Sequence, residues 1–147
     1  MRSHRFHEQT RLPQPIGQVF PFFSTAANLE RITPPELRFR ILTPDVEMRE
    51  GAVIEYSLRL FGVRFGWTTE ITRWDPPHEF VDIQSAGPYR QWIHTHRFRA
   101  EGGGTVMEDT VDYALPFQPA GEIALPIVRA QIRRIFTYRR AAITALL

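Results

Sequence analysis

His94 and His96 stand one residue apart, and in an extended segment that spacing puts both imidazoles on one face. Asp82 and Asp109 lie in the runs on either side. Two nitrogens and a carboxylate have the composition of a zinc or non-haem iron site. The rival role is a His96/Asp109 couple, in which the carboxylate orients the ring and raises its basicity for general acid–base work. His-X-His recurs in strands by chance, so the spacing alone does not argue for a bound metal, and none is expected. Other chemistries lack their residues. With no cysteine there is no disulfide, thiol nucleophile or thiolate site. All 18 basic residues are arginine, so there is no lysine for a Schiff base or a phosphate-binding loop, and arginine stays charged and cannot act as a general base. None of the four serines sits in a Gly-X-Ser-X-Gly turn.

Strand alternation sorts the side chains by face. Ala52, Ile54, Tyr56, Leu58 and Leu60 alternate with Glu55, Ser57 and Arg59, and Phe65, Trp67, Thr69 and Ile71 with Arg64, Thr68 and Glu70. A loop at Glu101–Gly104 pairs Phe98 with Met107, His96 with Asp109, His94 with Val111 and Trp92 with Tyr113. Phe98 and Met107 mark that face as the inner one. A three-residue loop at Ala86–Pro88 sets Asp82 opposite Trp92 and Phe80 opposite His94, which turns Asp82 and Gln84 inward as well. An apolar face thus ends in Asp82, Gln84, His94, His96, Asp109 and Tyr113. Unpaired buried polar groups cost about 1–3 kcal/mol each, so such a set bonds to itself with a few waters or faces a ligand.

The elements that must carry these residues follow from the period. Ser3–Leu12 alternates as a strand and Pro13 and Pro15 stop it; a short helix then carries Ile16, Val19, Phe20 and Phe23. A second short helix over Ala26–Ile32 ends before Thr33-Pro34-Pro35. Six runs of period two follow: Leu37–Leu42, Ala52–Leu60, Val63–Trp74, His78–Ser85, Tyr89–Ala100 and Thr105–Leu115. Short turns between them make antiparallel neighbours. From about Pro119 to Leu147 the period is helical, with Ile123, Ile127 or Val128, Ile132, Ile135, Arg139, Ile143 and Leu146 on one side, and Pro126 marks a kink or the true start of the long part.

Length and composition fit this plan. The 147 residues, 43% hydrophobic and 23% charged, suit one globular domain over 1–147. A net charge of +2 does not suggest a DNA partner. Arg129, Arg133, Arg134, Arg139 and Arg140 form the one dense basic group, read as a solvated helix face, with an RNA or membrane contact as the minor alternative. No 18-residue apolar stretch and no signal-peptide segment is present, so a cytoplasmic protein, monomer or homodimer, is expected.

The order of elements resembles the helix-grip fold of the START and Bet v-like superfamily, also called SRPBCC. The run Trp74 to Tyr89, then Trp92-Ile93-His94-Thr95-His96-Arg97-Phe98, Gly104-Thr105, Tyr113 to Pro116 and the ending Ile135 to Arg140 are similar to its bacterial cyclase/dehydrase-like branch. The resemblance implies an α+β fold with a curved seven-stranded antiparallel sheet around a long C-terminal helix. It also implies a deep cavity between sheet and helix that binds or carries a hydrophobic molecule of lipid, quinone or polycyclic aromatic type. The expected walls are Tyr56, Leu58, Phe65, Trp67, Ile71, Trp92, Phe98, Met107, Val111, Ile132, Ile135 and Phe136, and the expected polar end is Asp82, Gln84, His94, His96, Asp109 and Tyr113. No cofactor is implied. An aromatase/cyclase-type enzyme using His94 or His96 with Asp82 or Asp109 is the alternative, and a ribosome- or membrane-associated module a third. Whether the chain is catalytic stays open at this level, because the superfamily contains both carriers and enzymes.

Overall fold

A computed structural model describes residues 1–147. The elements in chain order are β1 His4–Leu12, α1 Ile16–Phe23, α2 Asn28–Arg31, a 3₁₀ turn Pro35–Leu37, β2 Arg40–Ile41, β3 Val53–Leu60, β4 Val63–Asp75, β5 Glu79–Ala86, β6 Gln91–Glu101, β7 Gly104–Ala114, a 3₁₀ turn Ala120–Ala124 and α3 Leu125–Leu146. The seven strands form one antiparallel sheet in the order β1-β7-β6-β5-β4-β3-β2. Two register shifts where β4 meets β5, at Thr68/Thr69 and Ile71/Arg73, bend it. This is the expected α+β helix-grip architecture, with α3 laid on one sheet face. No helix is long and apolar enough to cross a membrane.

Two turns set the register that matters. Between β6 and β7 Glu101 pairs with Gly104, so only Gly102 and Gly103 form the turn, at φ 57° and 82°; the pairs Phe98 with Met107, His96 with Asp109 and Trp92 with Tyr113 are those expected. Between β5 and β6 the expected register is corrected. Asp82 pairs with His94 and Phe80 with His96, a shift of two residues that keeps every side chain on its expected face. The cause is a wider loop. The Gln84 side chain accepts from the Tyr89 N–H at 2.9 Å and donates to the Tyr89 carbonyl at 2.6 Å, holding the connection open.

Two sequence expectations change at the edges of elements, and the alternative left open at Pro126 is decided. Leu37–Leu42 is mostly not strand: the turn begins at Pro35, and Arg38 at φ 47° breaks the extension before Arg40. Pro126 lies in the first turn of α3, where its missing N–H costs nothing, so it starts the helix and does not kink it. Ile123 and Ile127 are 86% and 60% exposed; the buried stripe is Val128, Ile132, Phe136, Arg139 and Ile143, at helical spacing.

Two apolar clusters fix α1 and α3 to the sheet. Val19, Phe20 and Phe23 of α1 pack with Phe80, Phe98, Met107 and Ile143. Val128, Ile132 and Phe136 of α3 pack on Val111, Tyr113 and Leu115. Each such side chain contributes about 1.5–3 kcal/mol of burial. The space between these clusters and the β3–β6 face is where the polar residues converge.

Candidate functional site

On the inner face of β6, His94 and His96 stack with ring centroids 3.6 Å apart and planes 25° apart, and Phe80 from β5 stacks on His96 at 3.9 Å. The carboxylates flank this column. Asp109 on β7 takes His94 Nε2 at 2.8 Å, and Asp82 on β5 takes His96 Nε2 at 2.6 Å. The expected His96/Asp109 couple is therefore replaced by two crossed pairs. His96 Nδ1 lies 3.5 Å from Asp109, beyond a good hydrogen bond, because on this bent sheet the diagonal neighbours come closer than the directly opposed ones.

Arg139 closes the cluster from above. It occupies an apolar position of α3 and is 8% exposed, and its guanidinium lies over the rings of Phe23 and Phe136. Its Nη2 is 3.4 Å from Asp109 and donates to His96 Nδ1 at 3.5 Å. Burial would push Asp109 up, but Arg139 and the bond from His94 outweigh it and hold this carboxyl well below the ordinary range. The same contest holds Asp82 low, chiefly through the bond from His96. Burial, helped by the neighbouring His94 and opposed by Asp82, takes His96 down to about 4. His96 is thus neutral at pH 7: Nε2–H donates to Asp82, and Nδ1 accepts from Arg139. The network carries two carboxylates and one guanidinium before any proton is placed on His94.

Asp82, His94 and His96 have donor atoms within 4.8 Å of one another. A metal must lie in the plane of each ring it binds. Rings stacked at 3.6 Å point their lone pairs side by side and not at a common point, so this arrangement fits a hydrogen-bonded network better than a metal centre.

The cluster forms one end of a cavity of about 160 Å³. Of the expected residues, Tyr56, Leu58, Trp67, Ile71, Asp82, Trp92, His94, His96, Ile135 and Phe136 line it. Asp109, 1% exposed, lies behind the histidines. Gln84 is engaged with the β5–β6 loop and is not part of the polar end. Phe98 and Met107 pack under α1, while Ile132 of α3 packs onto Val111 and Tyr113 of the sheet. Phe65 lines a second, outer chamber of about 540 Å³, which shares the Leu60 and Tyr89 walls with the inner one.

The sequence reading missed Arg139 and Thr69 as site residues. Arg139 carried a signal, an arginine within the apolar stripe of a helix. Thr69 Oγ1 accepts Trp67 Nε1–H at 3.1 Å and bonds the Tyr56 hydroxyl at 2.8 Å, satisfying the polar atoms of both aromatics inside the wall. Burial pushes the Tyr56 and Tyr89 hydroxyls above their ordinary value, so both stay protonated. Asp82 differs from its neighbours: its side chain is 17% exposed toward the cavity, and Oδ1 takes no hydrogen bond from the protein.

Residues 12–142 match the family model described as polyketide cyclase / dehydrase and lipid transport. No curated protein matches. Among solved structures, the chain is similar to the Zhui aromatase/cyclase from Streptomyces sp. R1128, with TM-score 0.79 and 16% identity over 98% of this chain and 93% of that one. A START superfamily protein from Mycobacterium smegmatis gives TM-score 0.74 and 10% identity over 98% and 99%. A nucleoside-diphosphate sugar epimerase from Corynebacterium glutamicum gives TM-score 0.70 and 20% identity over 95% of this chain but 28% of that one. At these identities the structural likeness speaks for the fold alone.

Proposed function

The chain belongs to the polyketide cyclase/dehydrase and lipid transport family, and within it we propose that this protein binds and carries a small hydrophobic molecule whose polar end is a hydroxyl-type donor. The observation that carries this reading is Asp82, an ionised carboxylate with one unpartnered oxygen at the end of an apolar chamber. A ligand O–H supplies the missing donor in a charge-assisted hydrogen bond. A ligand carboxylate sets a second negative charge against Asp82, because the Arg139 guanidinium already faces Asp109 and His96. Size limits the ligand further. A cavity of about 150 Å³ holds benzene, so the inner chamber of about 160 Å³ suits one ring or a compact bicycle. A longer ligand must extend past Tyr89 and Leu60 into the outer chamber.

Trp67 and Trp92 line the inner chamber and report on its contents. Naphthol should quench their fluorescence saturably, and Asp82→Asn should weaken that binding about tenfold or more. Absence of saturable quenching by naphthol and by naphthalene alike would sink the carrier reading.

One observation favours an enzyme as the second reading. His94 gives Nε2 to Asp109, its Nδ1 has Asp82 no nearer than 4.0 Å, and the ring lines the chamber. With Nε2 protonated, Nδ1 is a free base oriented by a carboxylate, the arrangement a proton abstraction from a bound carbonyl compound needs. Both nitrogens of His96 are engaged, so His94 is the base in this reading. His94→Gln would then abolish turnover of a poly-carbonyl substrate while leaving its binding within a few-fold; equal loss of both would leave the carrier reading.

A further inference from the structure

We propose that the end of the molecule bearing the outer chamber docks onto an anionic phospholipid bilayer. Two unusual phenylalanines begin the argument. Phe61, in the β3–β4 turn, and Phe117, after β7, have φ of 53° and 58° and are 58% and 86% exposed. A bulky residue in the left-handed region is strained, and a two-residue hairpin turn of this kind favours Asn or Asp followed by Gly. Exposing the ring adds no core contact to offset that strain, so the rings answer to something outside the fold. Both border the outer chamber. Leu60 and Val128 add aliphatic lining to that chamber, and Val63, 56% exposed, closes the Phe61 turn opposite Leu60.

Charge supplies the second observation. Arg59 and Arg64 are direct cross-strand partners beside the Phe61 turn, a like-charge pairing that destabilises a sheet unless an anion lies between. Arg38 and Arg40 join them around a surface pocket floored by Ser57 and Leu58. None of these four exposed arginines has a carboxylate within 4.0 Å; of the helix arginines, Arg134 and Arg140 are paired with Glu36 and Glu8, while Arg129 and Arg133 stand exposed without one.

An apolar rim with arginines beside it matches a bilayer surface, rings entering the acyl boundary and guanidiniums meeting lipid phosphates. Single-stranded RNA also uses basic and aromatic groups, but it needs rings as stacking platforms inside the basic groove. Here the rim is partly aliphatic and borders a chamber. Docking would open that chamber onto lipid, the phase in which a hydrophobic cargo resides; the docking itself stands without the carrier reading.

The test is sedimentation of the full chain with phosphatidylcholine vesicles, with and without phosphatidylglycerol, across a salt series. Binding should require phosphatidylglycerol and weaken with salt. Arg59→Ala/Arg64→Ala should lose roughly thirtyfold in affinity, about fivefold for each arginine. Phe61→Asn should also lose binding, and both variants should melt no lower than the parent, since each removes a strained or repulsive feature. Equal binding to pure phosphatidylcholine, undiminished binding by the variants, or binding of poly-uridine RNA but not of vesicles would each overturn the proposal.

Discussion

Asp82 and Asp109 are both held ionised, yet only Asp82 meets the chamber; Asp109 sits behind the stacked histidines against Arg139. The two should therefore answer differently to the same substitution. Asp109→Asn leaves the Arg139 guanidinium buried without its counter-charge and is expected to cost roughly 3–5 kcal/mol in urea unfolding. Asp82→Asn should cost less, because its side chain is partly open, and should change ligand preference instead. Much of this residue set was legible from alternation alone: His94, His96, Asp82 and Asp109 fall on one face once Phe98 and Met107 mark it. The partners were not. Across β6–β7 the bent sheet brings the diagonal His94 closer to Asp109 than the opposed His96, and across β5–β6 the register follows a side-chain bond from Gln84 to the Tyr89 backbone; nothing in the local composition announces either.

At the scale of elements, α3 is held by an ion pair as well as by its apolar stripe. Arg139→Met should lower stability by about 3 kcal/mol, and adding Asp109→Asn should recover most of that loss, since a buried pair costs most when one partner is removed alone. Additive losses in this double-mutant cycle would show that the pair does not couple helix to sheet. The stripe of α3, Arg139 included, was readable by period, but that arginine was also counted with its charged neighbours as a solvated face, because hydropathy ranks it as surface. The Phe61 turn makes the converse point: Phe-Gly reads as a weak turn by composition, and only φ shows that a phenylalanine occupies the place of an asparagine. Phe61→Asn is expected to stabilise the hairpin by about 1 kcal/mol, measured as a shift of the urea midpoint.

For the whole molecule the buried network couples folding to pH. His96 titrates near 4 in the folded chain against 6.5 when unfolded, so between those values the unfolded chain binds more protons and acid favours unfolding. Stability should fall by about 3 kcal/mol from pH 6.5 to pH 4 through this residue. Asp82 and Asp109, held below their ordinary values, add losses of the same sign at lower pH. Urea midpoints from pH 7 to pH 4 check the trend, and His96→Asn should flatten it. The fold itself was visible in the order of periods, because a meander of antiparallel strands and one long amphipathic helix leave few ways to cover the sheet. The two-chamber shape was not visible, since it depends on where Tyr89 stands between them.

The central claim is that Asp82 selects a hydroxyl-bearing hydrophobic ligand, and calorimetric titration with naphthol, naphthalene and naphthoate tests it most directly. The account predicts that naphthol binds about tenfold or more tightly than naphthalene, that naphthoate binds weakest, and that Asp82→Asn levels the three. Naphthoate binding as tightly as naphthol, with Asp82→Asn making no difference, would contradict it.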